Sequence, residues 1–522
     1  MTLYSIKPNL TKVTKSWLYF GSLACVVLLS FASNFLSAIA QGQSALSVEN
    51  IGVYTIIQYC LMAFFMLLAW FTSPKSSQLK NYKALLITAF LVRIVLIDVT
   101  PYTSNDASRY LFDGRIAYEG FDPYRISHDA EELTQLRAKW QPPQEHATYV
   151  TIYPPLALAL FSFSSSFGVD HAELAWKCLL LLAGLLTVWI SALVLKKAAK
   201  LENLPLVALS PLLILETGVG LHLDAFSALA VISALYLWQR QLLLYCGVAI
   251  GIGMSLKVLP VMLLLPLFFL QKSLKHSFTL VLGWVVTLAL IYGATVTLGY
   301  LPVGSIGVFF EKWRNAAPVF MALESLFSGV QLVVALIIIT ITTVLIIAYI
   351  SFKQDSDTQT NPKNNPRKNT DTIYLCMQAS LALPLILSPV LFPWYLMPLI
   401  PLLALRPNIF LLAWSLLMPL TYEVLGDFLC CQQWQPAHWP TVLLAVLYAL
   451  TVLKIIYYSI TKHNEKQRKK KSKLDESCPT GTLSFAEINR KTSAVIKKDT
   501  LAASPVQMAE RSLGDINIIE IK

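Results

Sequence analysis

Charge is scarce in this chain of 522 residues: Asp, Glu, Lys and Arg make up 14% of it, where a soluble domain carries about 25%. Apolar types reach 56% and the mean hydropathy is +0.59. That balance excludes a soluble enzyme, a nucleic-acid module and a disordered chain. Paired-cysteine spacing is also missing. Cys25, Cys60, Cys178, Cys246 and Cys376 sit inside apolar blocks, where cysteine acts as a small hydrophobe; Cys430 and Cys431 are adjacent, and Cys478 is in a polar tail. No CxxC pair or Cys/His zinc spacing occurs, so neither a disulfide framework nor a zinc module is expected. There is no Walker A, no GxSxG and no HExxH. Nucleotide-driven transport and serine or zinc hydrolysis therefore have no support. No clean internal repeat, common in transporters, can be found either.

What is present is a series of apolar blocks of the length that spans a hydrocarbon core of about 30 Å. The fold class is an all-α polytopic membrane protein with about 12–14 crossings over residues 1–460. The net charge of +11 reads as Lys and Arg holding loops on the cytoplasmic side rather than as a nucleic-acid surface. Lys7, Lys12 and Lys15 precede the first block, which reads as an uncleaved anchor. The loop with Lys75, Lys80 and Lys83, that with Lys353, Lys363, Arg367 and Lys368, and the tail with Lys466 and Lys469 are expected inside with the N-terminus. Residues 461–522 read as a basic, disordered cytoplasmic tail near anionic lipid. Three crossings place the polar loop 100–152, with eight acids and five basic residues, on the far side. Lys196, Lys197 and Lys200 ask for the cytoplasm as well, so the short segment 155–168 is expected to be re-entrant or only partly inserted. The block 243–270 contains Pro260 and Pro266 and reads as one tilted helix or two short ones.

The far-side loop holds the sharpest signal, Ser104-Asn105-Asp106-Ala107-Ser108-Arg109-Tyr110-Leu111-Phe112-Asp113-Gly114-Arg115. Ser104 or Asn105 can cap a helix that runs to about Glu119 and ends at Gly120. Helical spacing puts Asp106, Arg109, Tyr110 and Asp113 along one stripe. A carboxylate there can take a proton from a sugar hydroxyl, and an arginine can hold a phosphate; a solvated amphipathic helix with internal ion pairs gives the same pattern. Glu216, His222 and Asp224 lie with Gly218 and Gly220 between two apolar blocks, where ionisable groups are costly and a broken helix lines a cavity. As a metal site the trio is a weak pattern. Lys257 is a lone ammonium before Pro260, awaiting an anionic partner or snorkelling to the interface. Trp313-Arg314-Asn315, Phe392-Pro393-Trp394-Tyr395 and His438-Trp439 read either as an aromatic belt or as a platform for a sugar or lipid.

The Asp106-x-x-Arg109-Tyr110-x-x-Asp113-Gly114-Arg115 run continues as Phe121-Asp122-Pro123-Tyr124 and Tyr153-Pro154-Pro155. It is followed in order by Glu216…His222-x-Asp224, Leu256-Lys257-x-x-Pro260, Trp313-x-Asn315 and Pro393-Trp394-Tyr395. Together these motifs, over about residues 84–425, resemble the GT-C superfamily of membrane glycosyltransferases. The likeness is greatest to the polyprenol-phosphate-mannose-dependent mannosyltransferases of glycosyltransferase family 87. The resemblance implies a GT-C-like helical bundle with a helical outer loop. It also implies inverting transfer of a sugar, mannose by default, from a polyprenyl-phosphate donor to a glycolipid or glycan acceptor. The site is expected on the non-cytoplasmic face of a bacterial plasma membrane. By the same resemblance Asp106 is the general base, with Asp113 as second choice, and Arg109 and Lys257 meet the phosphate. Tyr110, Arg115, Glu216, His222, Asp224, Trp313, Asn315, Trp394 and Tyr395 contact substrate. No cofactor is expected, and no dedicated ligand set for a divalent cation is seen. The chain departs from the family in Asp122, where Asn is usual, and in placing its outer loop after the third apolar block; the first two blocks then read as an accessory addition. A lipid or lipid-linked-sugar flippase is the competing reading.

Overall fold

The computed structural model describes residues 11–271, 273–360 and 366–477. Lys7, Lys363 and residues 478–522 lie outside the described residues. The fold is all helical. Helices α1 (Lys12–Ala40), α2 (Ile51–Thr72) and α3 (Lys83–Val95) precede the polar loop, which carries α4 (Asp106–Tyr118) and α5 (Thr134–Trp140). Next come α6 (Pro155–Ser165), α7 (Ala172–Lys197), α8 (Pro205–Ala208), α9 (Pro211–Gly218), α10 (Asp224–Gln239), α11 (Leu243–Leu256), α12 (Leu264–Phe269) and α13 (Leu274–Thr297). The remainder is α14 (Ile306–Lys312), α15 (Pro318–Leu326), α16 (Val330–Thr360), α17 (Pro366–Ile386), α18 (Ile400–Leu405), α19 (Ile409–Leu417), α20 (Leu425–Cys431) and α21 (His438–Ser477). Tight 3-10 turns at Pro393–Leu399 and Met418–Val424 join the later helices. Among the described residues there is no strand, only an isolated bridge between Asn315 and Val390.

Among the described residues seven helices are long and apolar enough to cross a membrane, and six further apolar helices of 10–17 residues accompany them. The long ones divide by what they touch. In α7, Trp176, Leu180, Ala183, Thr187 and Ser191 are buried against protein. Leu282, Val285 and Leu290 of α13 and Val334, Ile337 and Ile338 of α16 stay exposed, as side chains facing lipid should. The described residues from Val452 to Ser477 belong to a separate unit and are helical. The adjacent sulfurs of Cys430 and Cys431 are bonded to each other.

Two ambiguities of the sequence resolve in geometry. The segment 155–168 becomes α6, only 11 residues or about 16 Å at 1.5 Å per residue, too short to cross a bilayer. It packs under α4 instead. The block 243–270 breaks into two helices at Lys257, whose backbone is extended (φ −154°, ψ 139°). The chain then passes through the Pro260 turn into α12.

The loop helix α4 starts at Asp106, where Ser104 Oγ accepts the Asp106 amide at 3.0 Å. Gly120 ends it with φ +85°, a conformation glycine adopts without penalty. Gly114 is what lets α4 lie on α6: a Cβ there would meet the Phe161 carbonyl carbon at 2.2 Å and its oxygen at 2.4 Å. Backbone cannot move aside as a side chain can. We expect Gly114→Ala to destabilise the fold by about 2 kcal/mol or more and to lower the detergent melting temperature by several degrees. Gly21→Ala, which has open space around it, should leave that temperature unchanged.

Candidate active site

The site forms where the N-terminal turn of α4 comes down over the break between α9 and α10. That break is enforced locally. Leu221 adopts φ +56°, and at Gly220 a Cβ would sit 2.5 Å from Glu216 Oε2 and 2.6 Å from His222 Nδ1. Glycine at 220 therefore allows the Glu216–His222 pair to close, at 2.9 Å between Oε2 and Nδ1. The opposite ring nitrogen, Nε2, faces Asp106 Oδ2 at 3.7 Å and has no hydrogen-bond partner. His222 stacks flat on Trp394, with centroids 3.6 Å apart, and Trp394 stacks on Phe392 at 4.5 Å. A ring clamped in this way keeps one orientation, so Nε2 stays aimed at Asp106.

Asp224, the first residue of α10, binds Lys257 Nζ through Oδ2 at 2.5 Å. Its other oxygen, Oδ1, is buried without a partner. Lys257 Nζ also lies 4.2 Å from the centroid of the Tyr395 ring, within cation–π range. The break after α11 thus presents the ammonium to Asp224, the anionic partner the sequence left open, while 29% of its side chain remains exposed.

Tyr110 Oη donates to Asp106 Oδ2 at 3.2 Å, and its ring stacks on Phe161 and meets Tyr153 and Trp176 edge-on. Burial, and then Asp106 beside it, push the Tyr110 phenol well above its ordinary range, so it remains a donor. Burial opposes charge on Arg109, but Tyr153, Asp113 and Asp106 around it raise its pKa above the usual value. Arg109 is therefore a permanent, nearly buried cation beside Asp106, with Nε unpartnered.

The stripe expected along α4 divides after one turn. Asp113 is fully buried, with Oδ1 at 2.6 Å from His128 Nε2 and Oδ2 accepting from Thr151 at 2.8 Å. Both its oxygens clasp the outer loop, so it does not join Asp106. Arg115 turns away too: it pairs with Glu119, lies against Tyr118 and Trp140, and donates to the Ser165 carbonyl of α6. Trp313 packs edge-on against Tyr149 of the loop. Asn315 Nδ2 binds the Leu391 carbonyl at 2.8 Å and pins the strap that carries Phe392 and Trp394. The sequence did not single out three participants. His128 was one more polar residue in a polar loop. Tyr59 of α2 and Tyr422 each donate to Glu216 Oε1 at 2.6 Å. Helix α2 therefore reaches into the site, whereas in sequence the first two blocks read as an accessory addition. Among the described residues no group of three His, Cys, Asp or Glu side chains is arranged to hold a metal ion.

The arrangement offers one accessible carboxylate, a fixed imidazole behind it, and two cations, Arg109 and Lys257, within the same cluster. Such a set suits group transfer with an anionic leaving group. The family model described as alpha-(1->6)-mannopyranosyltransferase, N-terminal domain, matches residues 15–271, just under half of the chain. Over those residues the chain is similar to that family. That family comprises polyprenol-phosphate-mannose-dependent membrane glycosyltransferases of the GT-C class, hexosyltransferases with a mannose donor and an acceptor. The matched stretch takes in α1 and α2 together with Asp106, Glu216, His222, Asp224 and Lys257, while Trp394, Tyr395 and Tyr422 lie beyond it. No curated protein and no solved structure matches the chain.

The Asp113 clasp has a direct consequence. Asp113→Ala strands His128 and Thr151 in a buried setting, which costs about 1–3 kcal/mol. We expect limited proteolysis to cut the segment 119–150 readily in that variant and not in the wild type.

Proposed function

We propose that the cluster catalyses single-displacement transfer of mannose on the non-cytoplasmic face, with Asp106 as general base. The observation that carries this reading is exposure. Of the three acids in the cluster, Glu216 is 0% and Asp224 1% exposed, whereas Asp106 keeps 26%. Asp106 alone of the three is open to an acceptor hydroxyl.

In the step, the acceptor oxygen attacks the anomeric carbon while its proton passes to Asp106. The bond from that carbon to the phosphate oxygen breaks, and polyprenyl phosphate leaves. Lys257 and Arg109 meet the charge that develops on the phosphate; preorganised charge of this kind is often the largest catalytic contribution. A phosphate is a weak base, so its departure needs no general acid. Inversion at the anomeric carbon makes an α-linked product from a β-linked donor, in keeping with the family's description. The acceptor is a glycolipid or glycan whose hydroxyl reaches Asp106. The face follows from charge: Lys75, Lys80 and Lys83 precede α3 and Lys196, Lys197 and Lys200 follow α7, so the loop with α4 lies on the opposite side. That loop is then extracytoplasmic in a plasma membrane.

Likeness to that family favours this reading over a flippase, which would need no base beside two cations. We expect Asp106→Asn to lower transfer from polyprenyl-phosphate-mannose by about 10²–10⁴-fold, the usual worth of a general base, with donor KM little changed. Lys257→Met should lower kcat by about 10²-fold and raise donor KM as well. Steady-state transfer into a membrane lipid extract measures both. Wild-type rates in Asp106→Asn would remove it as the base.

A further inference from the structure

Glu216 is an acid in the least favourable place for one, fully buried inside a membrane bundle where an unmet carboxylate costs several kcal/mol. No Lys or Arg pairs with it among the described residues. Its environment is instead three directed contacts: the phenols of Tyr59 and Tyr422 on Oε1, each at 2.6 Å, and His222 Nδ1 on Oε2 at 2.9 Å. The two phenol rings lie 5.5 Å apart and come from distant parts of the chain, α2 and the Met418–Val424 turn.

The choice of donor matters. A cation would pair with the carboxylate and quench it. A phenol donates a hydrogen bond and carries no charge, so it offsets desolvation and leaves the carboxylate's charge in place. Two phenols on one oxygen also fix the torsion of the carboxylate, so that Oε2 has one direction, toward His222. The His222 Nδ1–H then has a fixed acceptor, and Nε2 is left pointing at Asp106.

We propose that Tyr59 and Tyr422 are positioning residues for the transfer reaction: through Glu216 they set the orientation of His222 and hence the environment of Asp106. The inference rests on the reading of Asp106 as the base. It makes the α1–α2 pair part of the catalytic apparatus, because α2 supplies one of the two phenols. Neither tyrosine touches substrate; each acts only through Glu216 and His222.

The test is a double-mutant cycle on the full chain in lipid nanodiscs. Tyr59→Phe, Tyr422→Phe and the double substitution are placed in the wild-type and His222→Ala backgrounds. Transfer from polyprenyl-phosphate-mannose gives kcat and both KM values, and the melting temperature is recorded for each. In the wild-type background each phenylalanine should lower kcat about tenfold, within the range expected for a hydrogen bond to a charged group, with both KM values within twofold. In the His222→Ala background the same changes should cost less than twofold, because the residue they act through is gone. Equal losses in the two backgrounds would mark a merely structural role and overturn the proposal. A change confined to KM, or a kcat within twofold of wild type in the double substitution, would overturn it too. His222→Gln replaces His222→Ala if the alanine variant does not purify as a folded protein. Asp106→Asn run alongside separates the two questions: wild-type rates there would defeat the assignment of the base, whereas additive tyrosine losses would defeat only the positioning role.

Discussion

The buried carboxylate of Glu216 is the constraint around which the rest of the site is arranged. Membrane protein interiors tolerate an acid only when each of its oxygens is met, and meeting this one draws in α2, the α9–α10 break and the Met418–Val424 turn. Glycine at 220 is needed so that the contact to His222 can close. The aromatic stack of Phe392 and Trp394 is needed so that His222 does not rotate out of it. The outcome is that the one exposed carboxylate, Asp106, faces a ring whose position is fixed from behind and from the side.

The outer loop works on the same principle. Asp106 sits at the first turn of α4, and α4 is held by the close approach at Gly114 beneath it and by the Asp113–His128–Thr151 clasp beside it. Arg137 braces the clasp by donating to the carbonyls of His128 and Ala130. Phe112, Ile116 and Leu133 add a small apolar core of their own. The base proposed at Asp106 needs this kind of support, since misplacement by about 1 Å can cost a hundredfold in rate.

The sequence makes legible whatever is local. The spans show as apolar blocks, the cap and stop of α4 as Asn105 and Gly120, and the broken helix as Gly218 and Gly220. The costly ionisable residues Glu216, His222, Asp224 and Lys257 are visible as exceptions within apolar surroundings, and these four converge with Asp106. The missed participants are those whose meaning depends on distance along the chain. Tyr59 and Tyr422 lie 157 and 206 residues from Glu216, and a tyrosine in an apolar block looks like any other amphipathic side chain. His128 fails to stand out for the opposite reason, being polar among polar neighbours. Helical spacing misled at Asp113: it sets which residues share a stripe on α4 but not that packing against α6 and the loop gives successive turns different partners.

The most direct test of this account is a structure of the full chain with a non-cleavable phosphonate analogue of polyprenyl-phosphate-mannose bound. The account predicts the phosphonate within hydrogen-bonding distance of Lys257 Nζ and the anomeric carbon open to a hydroxyl held at Asp106. A sugar seated away from Asp106, with Lys257 still paired to Asp224 and no contact to the phosphonate, would contradict it.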